Sequence, residues 1–385
     1  MLARKKTVSV ISHALCRASI ALALLLSVSA SAMAAANEES RAVAALLSQY
    51  ETVFYTNTDL SSSSTPPAAI FVANLRGGYV TVYSLGSNGD VAPISTIEGA
   101  ATRLADPTAV ALDSKGNIYV GNDYVANAPV EAGSSVVVFS AGSRGNAKPL
   151  ATIAGPHAGL HGIHSITVDS SGNIYVGTYI GNDGPAAVEV FAAGSDGDVN
   201  LSTIIAGTST GVQNAYGIAI DPRRALFVAN VSGVSKNTGV LVFPAASNGN
   251  ATPSVIISGD KTGADWPVGV AWDPNGNIYM ANAGRNGIPA SIRVYSSGSN
   301  GNVPPMSTIS GSNTGLIGRT VRGIALDSSE NLYVTSDGSD GKNSSISVFA
   351  PAANGNVKPI AVISGDNTGL SAAVGIAIGP YPATR

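Results

Sequence analysis

Histidine is the residue type in this sequence whose distribution most directly suggests chemistry. Apart from His13, every histidine lies in the segment GPHAGLHGIH, as His157, His161 and His164. Three imidazoles within eight residues could bind zinc or another divalent metal, so all three are candidate metal ligands. The spacing matches no familiar zinc motif, and no carboxylate lies between the histidines. A polar contact with a ligand and an ordinary surface loop are the alternatives.

A second group of candidates occupies one position in six similar segments. Each member precedes a small residue and stands five residues before the turn that ends its segment. The members are Thr108, His164, Tyr216, Val268, Arg322 and Val374. Variation at one position of an otherwise uniform strand indicates a side chain that faces an open channel rather than a packed neighbour. Simple tolerance at a strand end is the alternative.

A third group of small hydrogen-bonding residues ends another six segments. The group consists of Asn74, Asn122, Thr178, Asn230, Asn282 and Ser336. Capping of a turn is one interpretation of these residues, and a ring of ligand contacts that includes Asn122, Asn230 and Asn282 is the other. The loops that follow are the most divergent parts of the chain, and divergent loops on a rigid scaffold often carry binding specificity.

These candidates recur because the chain is an array of repeats. A strand of the Ile-Tyr-Val type begins at Ile70, Ile118, Ile174, Leu226, Ile278 and Leu332, at spacings of 48 to 56 residues. Each repeat contains four short runs of β-branched and aliphatic residues bounded by turn formers, which predicts four strands. No run has a sustained helical period, so we expect no helices in the repeats.

The turns of the repeat are as regular as its strands. Asp-x-x-Gly-Asn stands at Asp113, Asp169 and Asp273, and Asp-x-x-Glu-Asn at Asp327. Asp can bond the backbone two residues later, and Gly and Asn tolerate a positive φ, so the pattern is typical of tight hairpins. Calcium sites use the same residue types, but no loop has the twelve-residue ligand spacing. We therefore interpret these aspartates as structural.

The ends of the array predict how it closes. The first repeat lacks its first strand, whereas the chain ends with an unpaired run, VGIAIGP, from Val374 to Pro380. Pairing of that run with the first repeat would close a ring of six four-stranded blades and remove the exposed strand edges. The sequence thus predicts an all-β, six-bladed β-propeller.

Phrases such as GIALDSSENLYV and GNIYVGN resemble those of the NHL-type six-bladed β-propellers, which are related to the gluconolactonase-like propellers. The resemblance covers residues 68–380 and implies a central channel with two loop-lined mouths. Gluconolactonase-like propellers hold a divalent metal with carboxylate and amide side chains. Asparagines of this chain could supply amides, but no Glu stands at a first-blade channel position. Streptogramin-lyase-like propellers use a histidine with magnesium, and His164 is the residue that could match it.

Two functions follow from these observations. The first is an exported binding or scaffolding module that recognises a small molecule or protein at one mouth of its channel. The second is a metal-assisted hydrolase or lyase acting on a small sugar-like or lactone substrate. In either case, we expect His157, His161, His164, Tyr216, Arg319 and Arg322 to lie on one face of the ring. No cofactor is expected, apart from the possible divalent metal.

The amino terminus has the pattern of an export signal. A basic start, an apolar run and small residues at Ala32 and Ala34 predict a signal peptide at residues 1–34, with a membrane anchor as the alternative. Residues 35–67 form a linker that could include one short helix, and residues 381–385 form a tail. Cys16 lies in the leader, so the mature chain would have no cysteine. The predicted location is the periplasm or the exterior.

The charge balance excludes several partners. Removal of the leader takes four basic residues and no acidic ones, so the net charge falls from −3 to −7. The repeats have no basic stripe or polybasic run. We therefore expect neither nucleic acid nor, after leader removal, a membrane as partner. The predicted mature protein is a monomer.

Overall fold

The computed structural model describes residues 67–123, 133–179, 186–232, 238–285, 287–338 and 343–382. The predicted signal peptide, the linker up to residue 66 and much of the divergent loops lie outside the described residues. The unit Thr65–Arg385 contains six four-stranded antiparallel sheets, which are the blades of a six-bladed β-propeller. The fold predicted from the sequence is confirmed. In the described part of the chain, no helix is long and apolar enough to span a membrane.

The strands follow the repeat, and each blade runs from an inner to an outer strand. Blade 1 holds β24 (Ala373–Pro380), β1 (Ala68–Asn74), β2 (Tyr79–Ser84) and β3 (Ser95–Ile97). Blade 2 holds β4 (Pro107–Leu112), β5 (Ile118–Asn122), β6 (Ser135–Phe139) and β7 (Ala151–Ile153). Blade 3 holds β8 (Ile163–Val168), β9 (Ile174–Thr178), β10 (Val188–Phe191) and β11 (Thr203–Ile205).

The other three blades have the same order. Blade 4 holds β12 (Ala215–Ile220), β13 (Leu226–Asn230), β14 (Gly239–Phe243) and β15 (Val255–Ser258). Blade 5 holds β16 (Pro267–Trp272), β17 (Ile278–Asn282), β18 (Ser291–Tyr295) and β19 (Ser307–Ile309). Blade 6 holds β20 (Arg319–Leu326), β21 (Leu332–Gly338), β22 (Ser345–Phe349) and β23 (Ala361–Ile363). Single 3-10 turns occur in the links at Ala100–Thr102, Asp260–Thr262, Ser312–Thr314 and Asp366–Thr368.

The carboxyl-terminal strand closes the ring. β24 pairs antiparallel with β1, with Ala68 opposite Pro380 and Ile70 opposite Ile378. Blade 1 therefore combines one strand from the end of the chain with three from its beginning. Each inner strand contacts the inner strands of both neighbouring blades, so the ring is continuous.

The core lies between the blades. Six apolar clusters are present in the described residues, and each contains side chains from two neighbouring blades. The third strand of every blade ends in or near a fully buried aromatic residue. These residues are Tyr83, Phe139, Phe191, Phe243, Tyr295 and Phe349. One blade alone would leave both of its apolar faces in water, which explains why six copies are needed.

The turn aspartates are structural, as predicted. Asp113 Oδ1 accepts hydrogen bonds from the backbone N–H of Lys115 and Asn117, both at 2.9 Å, and Oδ2 accepts one from Asn117 Nδ2 at 2.7 Å. Asp273 and Asp327 make the same three bonds in their own turns. The carboxylates therefore hold their hairpins.

A second recurrent turn, which ends in Gly-Asn or Gly-Asp and in four blades begins with Gly-Ser, clamps each blade to the link at its neighbour. Asp90 Oδ1 accepts from Asn367 N at 2.8 Å, and Asn302 Oδ1 accepts from Lys261 N, also at 2.8 Å. All six blade junctions have a bond of this kind, in which an Asn or Asp side chain meets a backbone N–H of the link. The clamp from Asp90 spans the closure between blade 6 and blade 1.

Candidate ligand site at the link face

The ring has two different faces. The inner strands begin at the face that also holds the blade-to-blade links, which we call the link face. They end at the face that holds the Asp-x-x-Gly-Asn turns, which we call the turn face. The channel runs between the two faces along the six inner strands.

Each inner strand has a β-bulge beside the link face. In blade 2, Pro107 pairs with Asn122 and Ala109 pairs with Gly121, so Thr108 is the extra residue. The same shift occurs in every inner strand. The extra residue is the variable one found in the sequence, and in β24 Val374 lies within the bulge. A bulge releases a side chain from the regular alternation of the strand and re-aims it. This explains why that position of the inner strand can hold residues of very different chemistry.

The six bulge residues line a narrow throat of about 70 Å³ on the channel axis. The prediction that this position faces the channel is confirmed.

The residue after the bulge residue must be small because adjacent inner strands nearly touch. A Cβ on Gly217 would lie 2.7 Å from the Gly269 Cα, and one on Gly375 would lie 2.8 Å from the Ala109 Cα. The throat itself therefore has room only for water or a very small ion.

Above part of the throat stands a stack of aromatic rings. The His164 ring lies 4.3 Å from the Tyr216 ring and 4.7 Å from the Tyr179 ring, measured between centroids. The Tyr216 ring in turn lies 6.0 Å from that of Trp266, and the Arg285 guanidinium carbon stands 4.3 Å above the Trp266 ring. These separations are typical of aromatic and cation–π contacts. The stack crosses from blade 3 to blade 5.

Trp266 has an unusual backbone conformation. Its φ is 58°, in the left-handed region that bulky residues rarely adopt. It directly precedes β16 and, because of this backbone turn, projects from the start of an inner strand. Asp106 and Ala372, which directly precede β4 and β24, have φ values of 48° and 50°, so this conformation is a feature of the links.

His164 is a neutral imidazole at physiological pH. Burial lowers its pKa to about 4, and the positive charges of Arg322 and Arg285 lower it in the same direction. The same two arginines lower the pKa of Tyr216, although burial outweighs them and raises it overall. The stack is therefore uncharged, and the positive charge beside it comes from the arginines.

The neutrality of His164 predicts a specific dependence of stability on pH. The unfolded chain binds a proton at His164 below about pH 6.5, whereas the folded chain does so only near pH 4, so the free energy of unfolding should fall as the pH drops through this window. The loss should be on the order of 2–3 kcal/mol between pH 7 and pH 4.5. His164→Val, which introduces the residue of blades 1 and 5, should remove that part of the loss. Urea unfolding of both proteins at the two pH values measures it, and equal losses would contradict the prediction.

Arg322 is held by an ion pair within blade 6. Its Nε lies 3.1 Å from Asp337 Oδ2, and the Asp337 side chain is almost completely buried. Ser344 Oγ donates a further bond of 2.7 Å to Asp337 Oδ1. Asp337 lies one residue after Ser336, which corresponds to the position that Tyr179 occupies after Thr178 in blade 3. Strand-end partners of this kind thus orient both His164 and Arg322.

Two of the predicted residues lie in the link rather than in the throat. His157 is exposed, and its Nδ1 lies 2.6 Å from Asp198 Oδ2. Its backbone N–H donates the clamp bond to Asp198 Oδ1 at 2.7 Å. The hydrogen bond between the two side chains is the main cause of the lowered pKa of Asp198. His161 Nδ1 bonds to the Gly159 carbonyl at 2.9 Å. His157 therefore adds a side-chain contact to an ordinary blade clamp.

Arg319 lies at the start of β20 and binds its own blade. Its Nε donates to Ser336 Oγ at 2.8 Å, and its terminal nitrogen Nη2 bonds to the carbonyls of Ser336 and Asn343. The six predicted residues fall in links or at inner-strand starts, as expected from the sequence. The structure brings His164, Tyr216 and Arg322 together at the throat and places His157, His161 and Arg319 outside its lining.

The strand-end asparagines cap the links. Asn282 Oδ1 accepts from Asp265 N at 3.0 Å, and its Nδ2 donates to the Gly263 carbonyl, also at 3.0 Å. Asn122 and Asn230 make the equivalent bonds to their own links. All three side chains are buried, with at most 2 % exposure. Their amides are engaged within the protein, as the capping interpretation states.

The described residues contain no group of three or more His, Cys, Asp and Glu side chains arranged to hold a metal ion. The donors that gluconolactonase-like sites use are thus not gathered here within the described ranges. The metal prediction for His157, His161 and His164 remains untested.

Sequence reasoning missed Tyr179, Trp266, Arg285 and Asp337. Tyr179 and Asp337 occupy a second variable position, one residue after the strand-end group. The same position holds Leu75, Asp123, Val231 and Ala283 in the other blades. Alignment of the repeats at this position would have identified the two partners. Trp266 and Arg285 lie in a link and a divergent loop, where the repeat provides no alignment.

No protein-family model matches the chain, and no curated protein is similar enough in sequence to count as a match. Among solved structures, a protein of unknown function from Bacteroides caccae superposes with a TM-score of 0.53 at 12% identity. The match covers 81% of this chain and 98% of that one. A protein from Lactobacillus plantarum has a TM-score of 0.52 at 16% identity, covering 78% and 82% of the two chains.

A gluconolactonase from Xanthomonas campestris is also similar, with a TM-score of 0.35 at 11% identity, covering 70% of this chain and 84% of the other. A score this low carries no argument about activity. The likenesses concern the fold alone. The chain is a six-bladed β-propeller closed by its last strand.

Proposed function

We propose that this propeller is an exported binding module whose link-face mouth recognises a small organic anion with a flat ring. The observation that carries the proposal is the aromatic stack at the bulge residues, flanked by Arg285 and Arg322. The basic and apolar leader sequence supports export.

The stack explains the preference for a flat ring. His164, Tyr216 and Trp266 each keep some exposed surface, which a ligand above the throat can contact. Aromatic side chains supply a large contact area at a small cost in conformational entropy. Because the throat holds only about 70 Å³, the ligand would lie across the mouth rather than in the channel.

The arginines explain the preference for an anion. A guanidinium has five N–H donors, of which Asp337 receives the one on the Arg322 Nε. Arg285 is exposed above the Trp266 ring. Charge-assisted bonds to a carboxylate are stronger than neutral ones. His164 is neutral, so it adds no charge. Its ring has one donor and one acceptor nitrogen, and either can form a hydrogen bond with a ligand.

Fluorescence of Trp266 tests the proposal. The chain has two tryptophans, so Trp272→Phe leaves Trp266 as the single reporter at this mouth. We expect saturable changes in its emission with benzoate or nicotinate. The dissociation constants should be at least about tenfold lower than those for benzamide and nicotinamide, the uncharged counterparts, because roughly 1.4 kcal/mol of charge-assisted bonding corresponds to tenfold.

A matched variant separates recognition from folding. Arg322→Val combined with Asp337→Ala gives blade 6 the pair that blade 5 carries, Val268 and Ala283, and leaves no buried charge unpaired. We expect this variant to keep the parent melting temperature within a few degrees and to lose the preference for the acids. No emission change with either acid, or an unchanged preference in the variant, would refute the proposal.

A further inference from the structure

The turn-face mouth of the channel is lined by aliphatic side chains, whereas the link-face mouth carries arginines and aromatic rings. The inner strands end there in six large apolar residues at one position: Leu112, Val168, Ile220, Trp272, Leu326 and Ile378. Each is only partly buried. Five of them, all but Val168, line one cavity of about 450 Å³. We call this cavity the apolar funnel.

The floor of the apolar funnel is a ring of aliphatic side chains. Val110, Ile166, Ile218, Val270, Ile324 and Ile376 line both this cavity and the narrow throat beneath the link face. All six side chains are at most 9 % exposed. This layer therefore lies between the funnel and the throat.

The ionisable groups of the funnel, Asp327 and Glu330, lie at its rim. The Asp327 carboxylate, at the rim, accepts three bonds within its own turn. The Trp272 indole Nε1 donates to the Ile220 carbonyl at 3.0 Å across the blade interface, so its N–H is already used and its ring is fixed. The wall can offer contact area and dispersion to a ligand. The carboxylate of Glu330 also lines the cavity and, unlike that of Asp327, does not hold a turn.

We infer that the apolar funnel binds a compact, uncharged, largely hydrocarbon molecule, at a site separate from the one proposed above. The volume lies within the range of small-molecule pockets, and such sites typically combine an apolar wall with a few polar groups, which here include Asp327, Ser328 and Glu330. A concave cavity bounded by six strands fits a small molecule better than a flat protein surface. Burial of these six partly exposed apolar side chains would contribute a binding free energy of about 25 cal/mol per Å² of apolar area removed from water.

N-phenyl-1-naphthylamine is a suitable probe because it is compact and uncharged, and it fluoresces strongly only in apolar surroundings. We expect the parent protein to bind one molecule saturably. Leu326→Gln should weaken the binding at least fivefold. Ile360→Gln, the same kind of change at an apolar side chain that is 58 % exposed on the periphery, should leave it unchanged.

A filling variant covers the case in which a polar residue in the funnel impairs folding. Val168→Trp introduces the residue that blade 5 already carries at this position and should displace the probe, with at least a tenfold loss of affinity. The double variant at Arg322 and Asp337 should bind the probe like the parent, so failure at one mouth is distinguishable from failure at the other.

Three results would overturn the inference. One is the absence of saturable probe binding by the parent. Another is a loss with Ile360→Gln as large as the loss with Leu326→Gln. The third is a concentration-dependent dimer, seen by analytical ultracentrifugation, that Val168→Trp and Leu326→Gln both dissociate. That result would make the funnel an interface between two copies of the chain.

Discussion

A chain that ends after Ala372 should fail to form a stable monomer. The truncation removes β24, which supplies the inner strand of blade 1 and part of the channel wall. Burial of Ala373, Ile376 and Ile378 is lost, at roughly 1.5–3 kcal/mol for each large side chain. The whole strand β1 also becomes an open edge. Together these losses are comparable with the total stability of a typical domain, about 5–15 kcal/mol.

Size-exclusion chromatography with light scattering and a thermal melt would measure this effect. We expect aggregates or a molecule without a cooperative transition. A chain that ends after Pro382 is the matched control, because it retains Tyr381, whose ring packs edge-on against Phe71 at 5.8 Å and whose N–H bonds to the Pro67 carbonyl. This control should melt like the full chain.

Complementation would show that the effect comes from the missing strand. A peptide of residues 373–382, added to the truncated chain, should pair with β1 and restore a cooperative melt. A truncated chain that stays monomeric and melts at the parent temperature without the peptide would show that the strand does not close the ring.

The fold was predictable because its determinants are local and repeated. Each turn aspartate organises its own hairpin through bonds to residues two and four positions later, so the pattern around Asp113 carries its structure with it. Ring closure was predictable for a different reason. The first repeat lacks one strand and the last run, Val374 to Pro380, has no partner of its own. The pairing with β1 supplies that partner.

The candidate site was predictable only in part. The variable position was visible in the sequence, but its cause, a bulge, depends on the pairing between strands and not on local residues. The contact of Tyr216 with Trp266 joins residues fifty positions apart, in different blades. Trp266 itself stands in a link, where nothing in the repeat marks it as exceptional. The aromatic stack could therefore be recognised only from the three-dimensional structure.

The apolar funnel could not be predicted from the sequence, because its residues do not depart from the repeat. Its residues obey the repeat, and an aliphatic residue that lines a channel looks the same in sequence as one that packs between blades. Ile218 and Ile220 both belong to the same alternating run, yet Ile218 is nearly buried and Ile220 is half-buried in the funnel wall. Sequence periodicity identifies the face of a strand, but it does not show whether a neighbour covers that face.

Replacement of Glu189 should stabilise the protein, and the gain should grow with pH. Glu189 lies in the third strand of blade 3 and is only 3 % exposed, and among the described residues its Oε2 has no hydrogen-bond partner. Burial raises its pKa to about 8. The equivalent positions in the other blades hold Thr81, Val137, Leu241, Arg293 and Ser347. A carboxyl group at this position is a departure from the repeat.

The direction of the pH effect follows from the two pKa values. The unfolded chain releases the proton near pH 4.5, whereas the folded chain retains it to about pH 8. The unfolded state therefore binds fewer protons in this window, so the free energy of unfolding falls as the pH rises. At pH 7 the loss should be on the order of 3 kcal/mol, since each unit of pKa difference corresponds to 1.36 kcal/mol.

Glu189→Leu, which introduces the residue of blade 4, should remove this loss. We expect its advantage over the parent, measured by urea unfolding, to increase by on the order of 3 kcal/mol between pH 4.5 and pH 7. Glu189→Gln is the matched control, because it removes the ionisation but keeps the shape and a polar group. Its advantage should change with pH by the same amount and differ from that of Glu189→Leu only by a constant. A stability difference that does not vary with pH in either variant would mean that Glu189 is ionised in the folded protein and has a partner that neutralises it.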